Sequence, residues 1–350
     1  RRTPMYPLIL WLTNKYTLVF LQWCISIILP VLIYRFFALE NETRRNRRWF
    51  WIVCGIFPMQ FFYTGFMMPE IWAELGVATW LVALKNRRFG IVGIASAFLI
   101  LLKPIFVFLI ILNLVISLAH CVKERQLMIT SLSWVFPLSA LTLLMFWNQS
   151  NGYEGVSSVS TTNAYDYNRY MLISEEKGRL YADSLYQTEA QILERMSNHE
   201  FPKGEWMIHA FYQSVLDYPI TYAWIHIKGI FRMFIDPGRY DAMVFFNWKE
   251  TNGFLQVKSS DQPESIPIYQ WIYIGFFALL SLVRFGLVLL GMKFFGIQQE
   301  WVWASILFIL LYAFLIGPVG TARYLVPLFP ICWVFTWFGL KKLVNESSTS

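Results

Sequence analysis

Apolar stretches of membrane-crossing length alternate with short polar breaks along most of this chain. A helix needs about 20 apolar residues to cross the hydrocarbon core of a bilayer. The pattern predicts spans at roughly 16–37, 49–67, 70–85, 89–103, 105–121, 127–147, 268–291, 300–317 and 324–340. The reading is an all-α polytopic membrane protein with about nine transmembrane helices. One long polar segment, about 148–267, interrupts them. Its start, "NQSNGYEGVSSVSTTNAYDYNRY", is rich in Ser, Asn and Gly and predicts loop. "SEEKGRLYADSLYQTEAQILERM" then sets Leu180, Leu185 and Ile192 among charges, as a helix does. "EWMIHAFYQSVLDYPITYAWIHIKGIFRMFIDP" is apolar enough to touch a membrane, but His209, Asp217, His226, Lys228 and Arg232 make it a poor span. It predicts two helices broken near Pro219, at the interface or on the core of a loop domain. Three regions follow: 1–147 with about six spans, 148–267 as a mainly helical loop domain, and 268–350 with about three spans and a tail.

The charges orient this arrangement. "RRNRR" (Arg44 to Arg48), "KNRR" (Lys85 to Arg88), "KER" (Lys123 to Arg125), Lys293 and "KK" (Lys341, Lys342) mark every second loop. Cytoplasmic loops carry the excess of Lys and Arg. The alternation therefore puts residues 1–15 and the 148–267 segment outside the cytoplasm and the C-terminus inside. The same runs account for the net charge of +7, so nucleic acid is not implied. Composition agrees: 57% of residues are hydrophobic and 15% charged, against about 25% charged in a soluble domain.

Few chemistries remain. The chain has no GxGxxG, Walker loop, HExxH or GxSxG. Cys24, Cys54, Cys121 and Cys332 have no CxxC spacing, and the four histidines are scattered, so no metal set is visible. Ionisable residues at the outer boundary of the apolar runs stand out, because charge is costly in lipid. Glu70 opens a span after Pro69, where a helix dipole alone would favour an acid. Glu74 lies one turn deeper on the same face. Lys103 breaks "ILLKPIFVF", either snorkelling or facing an anionic lipid head. Arg323, in "GPVGTARYLVPLFP", is a cation on the outer side, against the charge rule and suited to bidentate phosphate binding. Tyr63 and Tyr324, in the same stretches, and Glu74 are candidate substrate contacts.

Four stretches in order, "RRTPMYPLILWL", "FPMQFFYTGFMMPEIWAELGVATWLVAL", "GIASAFLILLKPIFVFLIILN" and "ARYLVPLFPICWVF", resemble the membrane-embedded GT-C glycosyltransferases, the superfamily of protein O-mannosyltransferases and aminoarabinose transferases. "VLDYPITYAWIHIKGIFRMF" resembles a helix pair that bacterial members carry in the outer segment. The resemblance implies transfer of a sugar, with inversion, from a polyprenyl-phosphate donor to a lipid, glycan or protein acceptor outside a bacterial inner membrane. It implies Arg323, Lys103 and Arg2 as donor-phosphate cations and Glu70 as a boundary acid. It implies no organic cofactor and leaves a divalent metal open. Such enzymes carry an acid, usually Asp, on the first outer loop. No Asp precedes Asp166 here, so the chain is expected to be a fragment lacking the first span and most of that loop. Rival readings are an O-antigen polymerase or ligase, and a transporter or flippase. The transporter is disfavoured because no internal repeat is visible.

Overall fold

A computed structural model describes residues 3–37, 48–52, 58–124, 127–151, 161–196, 203–236, 268–294 and 299–346. Every regular element among them is helical, and no strand occurs. The chain begins with a short helix α1 (Met5–Leu12), then α2 (Lys15–Phe37), α3 (Pro58–Gly65), α4 (Glu70–Lys85) and α5 (Phe89–Leu102). A 3-10 turn (Pro104–Val107) leads into α6 (Phe108–Glu124), followed by α7 (Leu127–Ser150). The polar segment supplies a π-helix (Asn163–Arg169), α8 (Tyr170–Lys177), α9 (Arg179–Met196), α10 (Lys203–Asp217) and α11 (Pro219–Ile235). The last part holds α12 (Ile268–Phe294), α13 (Glu300–Ile316), a 3-10 turn (Gly317–Val319), α14 (Ala322–Leu325) and, after a second 3-10 turn, α15 (Phe329–Glu346).

Among the described residues, five stretches are long and apolar enough to cross a membrane: Lys15–Phe37, Pro104–Cys121, Thr130–Ser150, Gly275–Lys293 and Arg323–Leu343. The fold is that of a helical membrane protein. The expected nine spans are not all of this length. α3 has 8 residues, α4 16, α5 14 and α13 17. At 1.5 Å per residue, α3 reaches only about 12 Å. Prolines and a cation set the breaks: Pro58 opens α3, Pro69 precedes α4, and Lys103-Pro104 ends α5. Buried polar side chains tie the short helices to the long ones. Asn113 donates to Ser96 Oγ and to the Ser133 carbonyl, both at 2.8 Å, and accepts from Trp80 Nε1 at 3.1 Å. Such bonds hold helices together where lipid offers no hydrophobic driving force.

Glycines let neighbouring elements approach to backbone contact. A Cβ on Gly291 of α12 would sit 1.9 Å from the Phe335 carbonyl of α15. A Cβ on Gly229 of α11 would sit 2.3 Å from the Gly317 carbonyl, and one on Gly320 would sit 2.0 Å from the Gly229 carbonyl. Helix α11 is thereby pressed onto the turn that leads to Arg323. Its far end enters the main core: Met233 and Phe234 pack with the membrane helices, and Arg284 of α12 donates to the Phe234 carbonyl at 2.9 Å. One face of α11 is thus packed on the bundle, while Ile220, Trp224, Ile227 and Phe231 stay exposed. A separate small core, built on Tyr165, Leu193 and Met207, holds the π-helix, α9 and α10 together.

Candidate functional site

Three segments far apart in sequence meet at one end of the bundle. Pro69 starts α4 so that Glu70 lies in its first turn. The extended residue Lys103 separates α5 from the Pro104 turn. The Gly317–Gly320 turn delivers Arg323 on the one-turn helix α14. Lys103 Nζ donates to Glu70 Oε1 at 2.9 Å, and Arg323 Nε donates to the same oxygen at 2.5 Å. Glu70 is fully buried, while Lys103 and Arg323 keep 16% and 26% of their side chains exposed. The acid therefore lies beneath and both cations face outward. Two cations and one carboxylate leave a formal charge of +1. A guanidinium has five N–H donors and an ammonium three. One of each is committed to Glu70, so donors remain on both for an incoming anion. Glu70 Oε2 is buried with no partner among the described residues.

Aromatic side chains surround the centre, among them Tyr63 and Tyr324, with two further tyrosines beside them. Lys103 Nζ sits 5.8 Å from the Tyr324 ring centre. Buried Tyr63 lies within electrostatic reach of Arg323. Tyr312 was not apparent from the sequence. Its phenol is buried within reach of Glu70, Tyr324 and Arg323, and its ring stacks on Phe106 at 5.3 Å. The one available signal was a polar atom in the apolar run "FILLYAFLIG". Tyr167 of the π-helix lies within electrostatic reach of Tyr324, and the π-helix packs beside the Gly317–Val319 turn. π-Helical turns occur often at functional sites.

Glu74 does not join this centre. It is fully buried, and its Oε1 accepts from Gln60 Nε2 at 3.0 Å. Gln60 Nε2 also reaches the Ser26 carbonyl at 3.3 Å, and Gln22 Nε2 donates to the Met68 carbonyl at 3.0 Å. This second polar cluster ties α2, α3 and α4 together. Arg2 lies outside the described residues. Thr3, next to it, donates from Oγ1 to the Leu102 carbonyl at 2.6 Å, which anchors the start of the described chain beside Lys103. No group of three or more His, Cys, Asp or Glu that would hold a metal occurs among the described residues.

Two further polar groups support the surroundings. Arg169 of the π-helix donates to both oxygens of Glu189, at 2.5 and 2.8 Å, and to Ser214 Oγ at 2.9 Å. Burial alone would pull this guanidinium down, but the Glu189 carboxylate overrides it and holds the group above its ordinary value. His226 of α11 lies against the Gly317 turn, with Nδ1 3.2 Å from the Phe314 carbonyl. A carbonyl only accepts, so Nδ1 carries the proton. Burial pulls this imidazole below its ordinary value, against the raising effect of the carbonyl.

No protein-family model, curated protein sequence or solved structure matches the chain.

Proposed function

We propose that the chain is the membrane core of a glycosyltransferase of the GT-C kind, which moves a sugar from a polyprenyl-phosphate donor to an acceptor on the extracytoplasmic face. One observation carries this reading. Lys103 and Arg323, 220 residues apart in number, converge on Glu70 at one end of a membrane bundle, with donors left over. The phosphodiester of a polyprenyl-phosphate sugar carries one negative charge, which matches the formal +1 of the centre. When the acceptor oxygen attacks the anomeric carbon, the bond to the phosphate oxygen breaks and that phosphate gains negative charge. Fixed donors aimed at developing charge lower such a barrier. Glu70 serves here as the positioning acid that aligns the two cations. The acceptor hydroxyl gives its proton to a general base as the new bond forms. Tyr324, half-buried beside Lys103, offers its ring and hydroxyl to the sugar.

The test uses the protein in membranes, supplied with a polyprenyl-phosphate hexose labelled in the sugar. Release of label from the lipid is expected to fall about 100-fold or more in Arg323→Ala, the scale of removing one preorganised donor. Turnover at the parental rate in that variant, or no release by the parental protein from any polyprenyl-phosphate sugar offered, overturns the reading.

A further inference from the structure

Helix α11 has three distinct faces. Ile225, His226, Gly229 and Met233 are buried against the bundle. Ile220, Trp224, Ile227 and Phe231 face outward, each between 44% and 85% exposed. Their spacing of four, three and four residues makes one stripe along the helix. Lys228 and Arg232 lie one turn apart between these faces and line a groove with Tyr170, Glu175 and Pro318. Glu175 pairs with Lys228, and Glu176 accepts from the Thr221 hydroxyl at 2.5 Å, which docks α8 on α11. Arg232 is exposed and has no side-chain partner among the described residues.

The stripe does not end at the helix. Phe231 meets Phe285 of α12 edge to face at 6.0 Å. Phe285 belongs to the apolar window Gly275–Lys293, whose outward residues include Leu279, Leu282 and Val283. The exposed face of α11 is therefore continuous with the surface of a helix fit to cross a membrane. Whatever covers α12 also covers α11, and for a spanning helix that is hydrocarbon. Basic side chains at the edge of such a stripe carry their charge to the headgroup level. The planar guanidinium matches a phosphate bidentately.

We infer that α11 lies against the bilayer, with its stripe in the acyl region, and that Lys228 and Arg232 take the headgroup phosphate of an anionic phospholipid. This rests on the membrane assignment and not on the glycosyltransferase reading. The full chain is placed in nanodiscs of phosphatidylcholine with phosphatidylglycerol, and native mass spectrometry counts the phosphatidylglycerol retained. Lys228→Gln combined with Arg232→Gln is expected to lower retention about tenfold or more, the scale of two basic residues near an anionic surface. Arg232→Lys keeps part of it, and excess inorganic phosphate displaces none. Equal retention in the parental and double-variant proteins, or displacement by inorganic phosphate, overturns the lipid assignment. A nitroxide on Ile227→Cys, corrected for labelling of the native cysteines, is expected to collide more with oxygen than with a water-soluble nickel chelate. The reverse ranking overturns the placement in the bilayer. Ile227 and Arg232 are exposed and Lys228 is half-buried in its pair with Glu175, so none of these variants removes a fully buried side chain.

Discussion

The carboxylate of Glu70 and the guanidinium of Arg323 meet at 2.5 Å across 253 residues of sequence. The contact fixes α14 against α4 and keeps two cations from repelling each other. Removing one member of a buried pair leaves an uncompensated charge and costs about 3 kcal/mol or more. Glu70→Gln strands two cations, whereas Arg323→Gln leaves Glu70 with Lys103. Glu70→Gln is therefore expected to lower the unfolding midpoint further than Arg323→Gln does. In the double variant the losses should fall short of their sum by about 1–3 kcal/mol. Unfolding in detergent micelles measures the cycle, and strict additivity would show that the pair does not hold the site together.

Glu74 offers the contrasting case one turn away. No described cation pairs with it, and its only hydrogen-bond partner among the described residues is Gln60. A glutamine can accept the same bond without a charge to bury. Glu74→Gln is expected to change stability by no more than about 1 kcal/mol and to leave sugar release near the parental level. A loss as large as that of Glu70→Gln would assign Glu74 to the centre after all.

The approach of α11 to the Gly317 turn makes a third prediction. In Gly229→Ala the new methyl would meet the Gly317 carbonyl at 2.3 Å and Pro318 Cα at 3.0 Å, both backbone. Overpacking of this kind costs about 1–3 kcal/mol, and here it also displaces the turn that leads to Arg323. Gly275→Ala, with nothing within 4 Å of the added methyl, serves as the control and should hold or raise the midpoint. Equal midpoints for the two variants would rule out the close contact.

Much of the centre was legible because an ionisable residue in an apolar run has so few benign explanations. Glu70, Lys103 and Arg323 each broke a hydrophobic pattern, and each lies in the one cluster. Local pattern does not show which partner a charge finds, so Glu70 read as an open boundary acid rather than the buried hub between two cations. The Gly229 contact was invisible for a related reason: close backbone approach depends on a neighbour 88 residues away in number. Span counting failed where helices are short and buried by others, since α3 and α5 need not match the bilayer thickness alone. The Arg169–Glu189 pair lies in a polar stretch where local pattern names no partner for a charge, and only packing of the π-helix on α9 brings the two together.

That pair yields a fourth prediction. Arg169 grips Glu189 with two nitrogens and reaches Ser214 with a third. A lysine cannot reproduce this fork. Arg169→Lys should loosen the small core around Tyr165 and expose the 161–217 region to limited proteolysis while the membrane helices stay protected. Unchanged cleavage would mean that the fork contributes little.

His226 sets a pH dependence with a definite sign. Burial lowers its folded-state pKa below the ordinary value of about 6.5. The unfolded chain then binds the proton more readily than the folded one. The stability that His226 contributes is present above about pH 6.5 and is lost as pH falls through its lower folded-state value. The cause is local: protonation puts a cation against the Gly317 turn, where Nε2 is buried without a partner among the described residues. Apart from the Phe314 carbonyl at Nδ1, neighbouring Tyr222 and Phe314 meet the imidazole with their rings. Unfolding midpoints between about pH 5 and 7.5, spanning the ordinary histidine range, should decline toward acid in the parental protein. The decline should be smaller in His226→Phe, which keeps the ring contacts and removes the titration. Parallel curves for the two proteins would remove His226 as the source.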